Sequence, residues 1–430
     1  MSSNRGSRVV ISGIGVVSPF GIGREKFWES VSQGKSGAKV ISAFETEGLP
    51  CRVAASVPPV TVEDLAPVPL STGLDLADVG RSRADPRRYS RTSLIAVIAA
   101  QEAWNDAGLS ASESSAGVIV GSGAGGIDVA ERQYQAYFTD SWKRVTPYAI
   151  PVSIVGMVSS EISIALRLHG ISHVLSTGCT SSTDAIGYAA QMIRAGEADV
   201  LLTGGADACV TRGLMLGFAR MRALSTHYND RAEEASRPFE RDRDGFVLGE
   251  GAWLMTVERE DRARARGAPI YAAVEGYAST CDAYHRVQMD PGGTEIIAAM
   301  RKAVERSGRT VEEIDYVNFH GTSTQLNDAI ESRCVRTLLG SRADYVSGSS
   351  TKSMIGHPQG ASGAAGVVTS ALAMSRKFIP PTINHIQPDP ACDLDVTPNQ
   401  GRAAEPQTAL CNCLGFGSKN SALVLGAVED

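Results

Sequence analysis

The sequence has few cysteines, few histidines and no long apolar run, and each shortage excludes a class of protein. Eight cysteines among 430 residues, with no Cys-x-x-Cys pair, are too few for a disulfide scaffold and predict a reducing, cytoplasmic location. Seven histidines without a His-Glu-x-x-His arrangement give no sign of a metal site. No apolar stretch reaches the roughly 20 residues that cross a membrane, so we expect no membrane association.

The sequence also lacks an excess of positive charge. Lysine and arginine number 41 against 47 aspartates and glutamates, which gives a net charge of −6. Because nucleic acid binding needs clustered positive charge, we expect no nucleic acid partner. Hydrophobic residues make up 43% of the chain, enough for a large packed core. These proportions are typical of a soluble enzyme or of a protein that binds metabolites or acyl groups.

Short β-branched runs alternate with longer helical patterns, which predicts an α/β protein with layered, largely parallel sheets. The predicted strands are Arg8–Ser12, Gly117–Val120, Val174–Ser176, Val200–Thr203, Tyr316–Phe319 and Leu423–Leu425. The predicted helices are Tyr89–Ala107, Asp184–Ala195, Glu295–Ser307 and Gly363–Ser375. Gly13, Gly15 and Pro19 interrupt the first apolar run, which favours a strand and turn over a secretion signal.

A faint internal repeat indicates that the fold is duplicated. In the first half a strand leads through Ser176-Thr177-Gly178 into a helix of small residues. In the second half Val346–Thr351 leads through a turn into a similar helix near Gly363. We therefore predict two halves, 1–258 and 259–430, that meet in a charged stretch before Pro269.

A glycine-rich segment, Gly121–Gly126, matches the G-x-G-x-x-G pattern of dinucleotide sites and follows a predicted strand. A second strand with an acidic end should follow within about 30 residues. The chain instead passes Trp142, Pro147 and Pro151 without a clear strand. The segment is therefore interpreted as a tight turn between sheet and helix, and no nicotinamide or flavin cofactor is expected.

Cys179 lies where a predicted strand ends and a helix begins, within Ser-Thr-Gly-Cys-Thr-Ser. A thiol at a helix N-terminus faces the positive end of the helix dipole and free N–H groups, which lower its pKa and favour the thiolate. The glycine turn predicts an exposed sulfur with a backbone N–H aimed at the same point, as in a nucleophile elbow. A buried core cysteine is the alternative, and the polar neighbours argue against it.

Two histidines also follow predicted strands or turns. His320 precedes Gly-Thr-Ser-Thr, and His357 lies in Gly-His-Pro after Lys352. In α/β folds the active site lies where the carboxyl ends of strands meet, so we expect both imidazoles near Cys179. One thiol nucleophile with two imidazoles suits chemistry that forms an acyl thioester and then a carbanion.

These residues lie in motifs that resemble those of the β-ketoacyl-acyl-carrier-protein synthases of the thiolase superfamily. The matching segments are Arg8–Pro19, Ser176–Ser181, Arg237–Phe246, His320–Thr324, Lys352–His357 and Gly415–Gly417. The resemblance covers essentially the whole chain, in the right order and spacing. It implies a duplicated thiolase-like fold with αβαβα layers.

The resemblance implies a decarboxylative Claisen condensation. Cys179 would take the acyl chain from a carrier-protein phosphopantetheine thioester, and His320 and His357 would assist decarboxylation of malonyl-acyl carrier protein. Lys352, paired with Glu331, would orient the site electrostatically. No metal or redox cofactor is implied, because the carbanion arises by loss of carbon dioxide.

The resemblance also assigns residues to the substrate channel. Thr322 and Thr324 would hydrogen-bond the pantetheine arm. Phe416 would gate the acyl pocket together with the loop around Asp282, and its backbone N–H would share an oxyanion hole with that of the nucleophile. Ala124 would line the far end of the acyl pocket and help to set product length.

Within the family, the surroundings of the cysteine are closest to the α ketosynthases of bacterial type II polyketide systems. That likeness implies an acyl carrier protein as substrate carrier and a heterodimer with a ketosynthase-like chain-length factor. A fatty-acid enzyme acting as a homodimer is the alternative. The chain departs from the family at Leu414 and Ser418, where Phe and Gly are more usual, and at Gly156, where fatty-acid enzymes usually carry Asn.

Two further classes share the fold. A degradative thiolase would need a second catalytic cysteine in a late Cys-x-Gly, for which Cys413-Leu414-Gly415 is a superficial match. The intact histidine pair argues for decarboxylating condensation instead. A non-catalytic chain-length partner would lack the nucleophile, so Cys179 argues against that reading.

Overall fold

The computed structural model describes residues 8–65, 85–110, 113, 115–139 and 141–429. Its strands are β1 Val9–Ser18, β2 Gly21–Ile22, β3 Lys39–Val40, β4 Val53–Ala55, β5 Gly117–Gly121, β6 Ser172–Leu175, β7 Val200–Ala208, β8 Leu248–Arg259, β9 Ala272–Cys281, β10 Tyr316–Asn318, β11 Ser347–Ser349, β12 Phe378–Ile379, β13 Arg402–Ala403, β14 Thr408–Gly415 and β15 Lys419–Gly426. Its α-helices are α1 Arg24–Ser32, α2 Arg91–Asp106, α3 Ile127–Thr139, α4 Ala149–Ser153, α5 Met157–Leu166, α6 Ser181–Ala195, α7 Arg212–Arg220, α8 Glu260–Ala265, α9 Thr294–Ser307, α10 Gln325–Leu339, α11 Lys352–Ile355 and α12 Ser362–Arg376. Every strand and helix predicted above overlaps one of these elements.

The main sheet contains the same strand order twice. In the first set β6, β5 and β7 are parallel neighbours, and β8 and β1 follow in antiparallel pairs. In the second set β11, β10 and β14 are parallel, and β15 and β9 follow in antiparallel pairs. The two sets meet where β1 pairs with β9. This repeated topology confirms the predicted duplicated fold.

The sheet is mixed, which corrects the expectation of largely parallel sheets. Strands β8, β9 and β14 have no predicted counterpart. They form antiparallel pairs within the sets, and β9 also pairs with β1 across the two sets. Polar residues such as Glu258, Glu275 and Asn412 interrupt their apolar patterns. Pairing with neighbouring strands makes these segments extended, because a buried backbone must place its N–H and C=O groups in hydrogen bonds.

Helices α6 and α12 form the central layer of the molecule. They pack against each other, and each contacts strands of both sets. Helix α2 covers the outer face of the first set, and α9 covers that of the second. The resulting order, helix, sheet, helix, sheet, helix, confirms the predicted αβαβα layers.

The central helices are rich in small residues because they approach neighbouring elements closely. A side chain on Gly187 would collide with the ring of Tyr277 of β9, and one on Gly363 would collide with Thr183 of α6. This close packing explains the small-residue helices seen in the sequence. It also brings the N-termini of α6 and α12 together beneath the site.

The chain passes from the first strand set to the second through α8. The two strand sets are joined through β1 and β9 into one continuous sheet, and both contact the same central helices. The division of the chain into 1–258 and 259–430 therefore stays a prediction. Within the described ranges, no helix has the length and apolarity that crossing a membrane requires. All eight cysteines fall within these ranges and are free thiols, and the reducing compartment that they suggest stays a prediction.

Candidate active site

Cys179 lies on a 3₁₀ turn, Gly178–Thr180, between β6 and α6. Gly178 has a φ of 70°, a backbone conformation that favours glycine. The N–H of Thr177 donates to Ser181 Oγ at 2.9 Å, and Ser181 Oγ donates to the Gly178 carbonyl at 2.5 Å. The predicted strand, turn and helix are therefore present, and these bonds hold the turn in shape.

The environment of the Cys179 thiol differs from the sequence expectation. The residue is only 5% exposed, so the sulfur is not displayed at the surface. Burial raises the pKa of the thiol to about 11, although hydrogen bonds from the backbone N–H of Phe416 and of Cys179 itself, and the charge of Lys352, act to lower it. Desolvation thus outweighs the favourable dipole and donors. The resting group is a thiol, and the expected resting thiolate is wrong.

Asp184, which the sequence reading missed, fixes the cysteine turn to the second half of the molecule. Its carboxylate accepts hydrogen bonds from Thr177 Oγ1 at 2.6 Å and Thr180 Oγ1 at 3.0 Å on the turn. It also accepts from Tyr277 Oη at 2.9 Å on β9 and from Ser421 Oγ at 2.8 Å on β15. An acidic residue in the first turn of a helix of small residues was the available signal.

The rings of His320 and His357 lie together, with centroids 5.3 Å apart and planes at 88°. Both residues are buried, at 3% and 4% exposure. Burial first, and the charge of Lys352 second, lower the pKa of each imidazole well below its ordinary value. Both rings are therefore neutral at physiological pH, and each can offer one N–H donor and one acceptor.

Hydrogen bonds around His357 identify its tautomer. Its Nδ1 accepts the backbone N–H of Gln359 at 3.2 Å and lies 2.8 Å from Ser362 Oγ. A nitrogen that accepts an N–H carries no proton, so the neutral ring carries its proton on Nε2. His357 thus presents an N–H donor on its other edge.

Glu331 holds the backbone that carries His320. Its carboxylate accepts the N–H of His320 at 2.7 Å and that of Gly321 at 2.8 Å. Burial raises the pKa of Glu331 to about 7, against the lowering effect of these two N–H groups. The two N–H bonds show that the principal contact of the Glu331 carboxylate is with the loop after β10.

Lys352 and Glu331 do not form the expected ion pair. Within the described residues no hydrogen bond or salt bridge joins them, because backbone N–H groups and Asn412 Nδ2 already surround the carboxylate. The two groups interact through space, since the charge of Lys352 lowers the pKa of Glu331. Lys352 is buried, and its charge also lowers the pKa of the Cys179 thiol.

Cys413 is a second thiol at the site. Its Sγ lies 3.0 Å from the carbonyl of Cys179 and 3.7 Å from Nδ1 of His320. Burial raises the pKa of Cys413 to about 12. The Cys413 thiol donates to the backbone of the turn that carries Cys179.

Thr322 and Thr324 lie beside His320, as predicted from the motif. Their hydroxyls are 3.0 Å apart, and Thr324 Oγ1 accepts the N–H of Asn327 at the start of α10. The N–H of Thr322 donates to the buried carboxylate of Asp328 at 3.0 Å. This bond fixes the loop. The Thr322 hydroxyl can make a further hydrogen bond to a ligand, because a hydroxyl both donates and accepts.

Phe416 lies in the β14–β15 hairpin. Ser418 and Asn420 of that hairpin are hydrogen-bonded to Asp282, in the loop that follows β9. The N–H of Asp282 donates to the carbonyl of Ser418 at 2.8 Å. The carboxylate of Asp282 accepts from Asn420 Nδ2 at 2.6 Å and from the N–H of Asp290 at 3.2 Å. The Phe416 ring stacks on Phe218 with centroids 6.5 Å apart. The structure thus brings the two segments of the expected gate into contact.

Ala124 lies in the glycine-rich loop and is held by Asp207, another residue that the sequence reading missed. The buried Asp207 carboxylate accepts from Ser122 Oγ, Gly123 N, Ala124 N and Gly360 N at 2.6–3.1 Å. It therefore ties the loop to the segment after His357. Ala124 packs against the same apolar cluster as Phe416. The loop is a turn between β5 and α3, as interpreted from the sequence, and the Asp207 carboxylate that holds it is a further finding.

The arrangement places a thiol, two neutral imidazoles and two backbone donors around one point. The donors are the backbone N–H groups of Phe416 and Cys179, which act to lower the pKa of the Cys179 thiol. Such a set can form an acyl thioester and stabilise negative charge on oxygen. Among the described residues no group of three or more His, Cys, Asp and Glu side chains lies where it could hold a metal ion.

Comparison with known proteins agrees with this chemistry. Residues 6–263 match the N-terminal domain of beta-ketoacyl synthases, and residues 271–385 match the C-terminal domain. The 3-oxoacyl-(acyl-carrier-protein) synthase 2 of Coxiella burnetii is 40% identical over 98% of this chain and 99% of its own. The enzyme of the same name from Rhizobium meliloti is 38% identical over 97% and 98% of the two chains.

Solved structures of ketosynthases are also similar to this chain. The ishigamide ketosynthase/chain length factor superposes with a TM-score of 0.86 at 33% identity, covering 98% of this chain and 100% of that one. AntDE:AntF, a type II polyketide ketosynthase in complex with its acyl-carrier protein, superposes with a TM-score of 0.87 at 30% identity, covering 99% and 100%.

The duplicated αβαβα fold and the thiol with paired imidazoles define a thiolase-like condensing enzyme, an acyltransferase. The match of both domains over most of the chain makes the assignment specific. This chain belongs to the β-ketoacyl synthase family.

Proposed function

We propose that this chain extends a polyketide by decarboxylative Claisen condensation, as the α ketosynthase of a type II system. The observation that carries the condensing chemistry is the buried Cys179 thiol, which two backbone N–H groups face beside two neutral imidazoles. The polyketide assignment rests on the cysteine surroundings and on the polyketide ketosynthases among the similar structures.

Cys179 accepts the acyl chain in the first step. Its Sγ attacks the carbonyl carbon of an acyl thioester on carrier-protein phosphopantetheine, and a new C–S bond forms. The bond to pantetheine then breaks, and the proton of the Cys179 thiol goes to the departing pantetheine sulfur. The N–H groups of Cys179 and Phe416 stabilise the oxyanion between these events. The charge of Lys352 favours the developing thiolate.

His320 and His357 act in the second step. The C–C bond of a malonyl thioester breaks, carbon dioxide leaves, and the electron pair forms an enolate. His357 donates Nε2–H to the thioester oxygen, and His320 contributes to the same oxyanion site. Neutral rings donate a hydrogen bond without losing a proton to the enolate. The enolate carbon then attacks the acyl carbonyl, and the new C–C bond forms as the sulfur of Cys179 leaves as a thiolate. A proton from solvent restores the resting thiol, whose pKa burial holds at about 11.

Residues around these groups serve the substrate channel in this proposal. Thr322 and Thr324 hydrogen-bond the pantetheine arm, since their hydroxyls lie beside the His320 loop. Phe416 gates the acyl pocket with the loop around Asp282, to which its hairpin is hydrogen-bonded. Ala124 lines the far end of that pocket, because it packs in the cluster that contains Phe416.

An exposed apolar surface supports the proposal that the chain works as a dimer. Strand β6 is last in the sheet order among the described strands, and an edge strand offers unpaired backbone groups to a partner. Large apolar side chains near it in sequence are exposed: Tyr134, Tyr137, Phe138, Trp142, Ile150, Ile154 and Ile164. Helix α3 contacts α4, α4 contacts α5 and α5 contacts β6, so these side chains lie on elements that adjoin the edge strand. Exposed apolar side chains grouped in this way are typical of an interface. We assign it to a ketosynthase-like chain-length factor, as the polyketide proposal requires.

A fatty-acid β-ketoacyl synthase acting as a homodimer is the second candidate. The observation that favours it is the identity of 37–40% over nearly the whole length of several enzymes named 3-oxoacyl-(acyl-carrier-protein) synthase 2. Both candidates share the condensing chemistry, so they differ in partner and in the acyl chain that is extended.

The test is to express this chain alone and together with a ketosynthase-like chain encoded by a neighbouring gene. The oligomeric state of each product is then measured by size-exclusion chromatography, and its activity by an elongation assay with malonyl-acyl carrier protein. We expect a heterodimer that performs successive condensations without reduction between cycles, with Cys179→Ala as the inactive control. Full activity on saturated acyl chains from the chain alone, as a homodimer, would replace the polyketide proposal with the fatty-acid one. No condensation by either form would overturn both.

A further inference from the structure

Gln359 is a polar residue that the proposed mechanism leaves without a role. Within the part of the chain that the structure describes, its side-chain Nε2 is buried and has no hydrogen-bond partner. A buried amide without a partner destabilises a fold, so such a group needs an explanation. A ligand atom that accepts its hydrogen bond would supply one.

The residue lies between the reacting groups and the glycine-rich loop. Its backbone N–H donates to Nδ1 of His357 at 3.2 Å. Its 3₁₀ turn, Gln359–Ala361, packs against the turn that carries Cys179. Its Cβ lies 3.8 Å from where a Cβ on Gly123 would stand. The side chain therefore leaves the backbone between the turn that carries Cys179 and the glycine-rich loop that carries Ala124.

The backbone of this turn is held in place. Gln359 has a φ of 45°, a strained conformation for a residue other than glycine. The next residue, Gly360, donates its N–H to Asp207 at 2.6 Å, and a side chain there would collide with the N–H of Gly123. Strain and an unpartnered amide thus coincide at one position beside His357. Such strain persists where the surroundings fix a residue, and it clusters at functional sites.

We propose that the Gln359 side-chain amide donates a hydrogen bond to an oxygen on the acyl chain carried by Cys179. Gln359 is then a specificity-determining residue that favours oxygenated chains, bearing keto or hydroxyl groups, over saturated ones. A saturated chain has only methylene groups to place against Nε2 and leaves the donor unpaired. The inference rests on the proposed function and names the substrate class for the same site.

The test compares acyl chains that differ only in one oxygen. Octanoyl and hydroxyoctanoyl chains, with the hydroxyl at successive carbons, are presented on acyl carrier protein to the full chain with its partner. Intact-protein mass spectrometry gives kcat/KM for transfer to Cys179. The ratio of the best hydroxyoctanoyl chain to octanoyl is the readout, because a general distortion slows both transfers and leaves the ratio unchanged.

We expect Gln359→Leu to lower this ratio by roughly three- to tenfold, the value of one net hydrogen bond. Gln33→Leu, an exposed residue at the end of α1, is the matched control and should leave the ratio unchanged. Gln359→Met gives the same comparison with a more flexible side chain if the leucine variant fails to fold.

Two results would count against the inference in different ways. An equal ratio in the wild type and in both Gln359 variants would overturn the role of the amide and leave the condensing function intact. Failure of the wild type to load either chain, with Cys179 free and the protein folded, would overturn the proposed function and this inference with it.

Discussion

Ser418 connects the hairpin that carries Phe416 to the loop around Asp282, and its removal should loosen both. Its buried Oγ lies 3.2 Å from the N–H groups of Tyr284 and His285 and 2.9 Å from the His285 carbonyl. Ser418 also has a φ of 62°, which is strained for a residue with a side chain. The two effects oppose each other in a Ser418→Gly variant.

The free energy by which Ser418 stabilises the closed pair of loops follows from these contacts. Three net hydrogen bonds are worth about 3 kcal/mol together, and relief of left-handed strain returns about 1.5 kcal/mol. Ser418→Gly should therefore destabilise the closed pair of loops by about 1.5 kcal/mol, or about tenfold in population. Ser418→Ala loses the bonds without relief of strain, so it should raise the open population on the order of a hundredfold.

Hydrogen exchange with mass spectrometry measures this opening. The amides of Asp282 and Gly417 report on it, since they donate to the carbonyls of Ser418 and Arg286 across the two loops. We expect their exchange rates to rise in the order wild type, Ser418→Gly, Ser418→Ala. Lys377→Gly is the control, because Lys377 has a φ of 51° at the end of α12, away from the gate. Equal rates in all four proteins would refute the reasoning.

Three further predictions concern the reacting groups. Cys179→Ala should abolish acyl loading and leave the unfolding temperature close to that of the wild type; a stable acyl adduct on another residue in its mass spectrum would contradict the assignment. His357→Ala should lower condensation by roughly 10²–10³-fold, because a positioned oxyanion donor is lost, and should lower loading far less; equal losses in both assays would indicate a structural role. Burial raises the pKa of the Cys179 thiol to about 11, so its alkylation by iodoacetamide should keep rising through pH 10. A plateau near the ordinary thiol pKa of about 8.5 would show that the thiol is not held protonated.

Local sequence determined where the reacting groups stand along the chain. Short β-branched runs followed by glycine turns predict strand ends at Cys179 and His320, and His357 follows a turn of the same kind. Cys179 follows β6 of the first strand set and His320 follows β10 of the second, so the pattern placed each group at a strand end, and packing of the two sets brought the groups together. The alternation of strands and helices likewise predicted an α/β protein, and the internal repeat predicted the duplicated fold.

Tertiary structure decided what those groups are chemically. The helix position of Cys179 favours a thiolate, but burial by the rest of the molecule raises its pKa to about 11. Lys352 and Glu331 have the charges of an ion pair, but backbone N–H groups of His320 and Gly321 occupy the carboxylate. The desolvation of a group and the competition for its lone pairs depend on every element packed around it.

The residues that sequence reasoning missed act over long separations along the chain. Asp184 reaches Ser421, 237 positions away, and Asp207 reaches the N–H of Gly360, 153 positions away. Gln359 is identified by an unpartnered buried atom and a strained backbone, and neither can be read from the sequence. Strands β9 and β14 have polar interruptions, and pairing with β15 makes them extended. Periodicity and glycine turns report on neighbours along the chain, whereas these contacts arise only when distant segments are packed together.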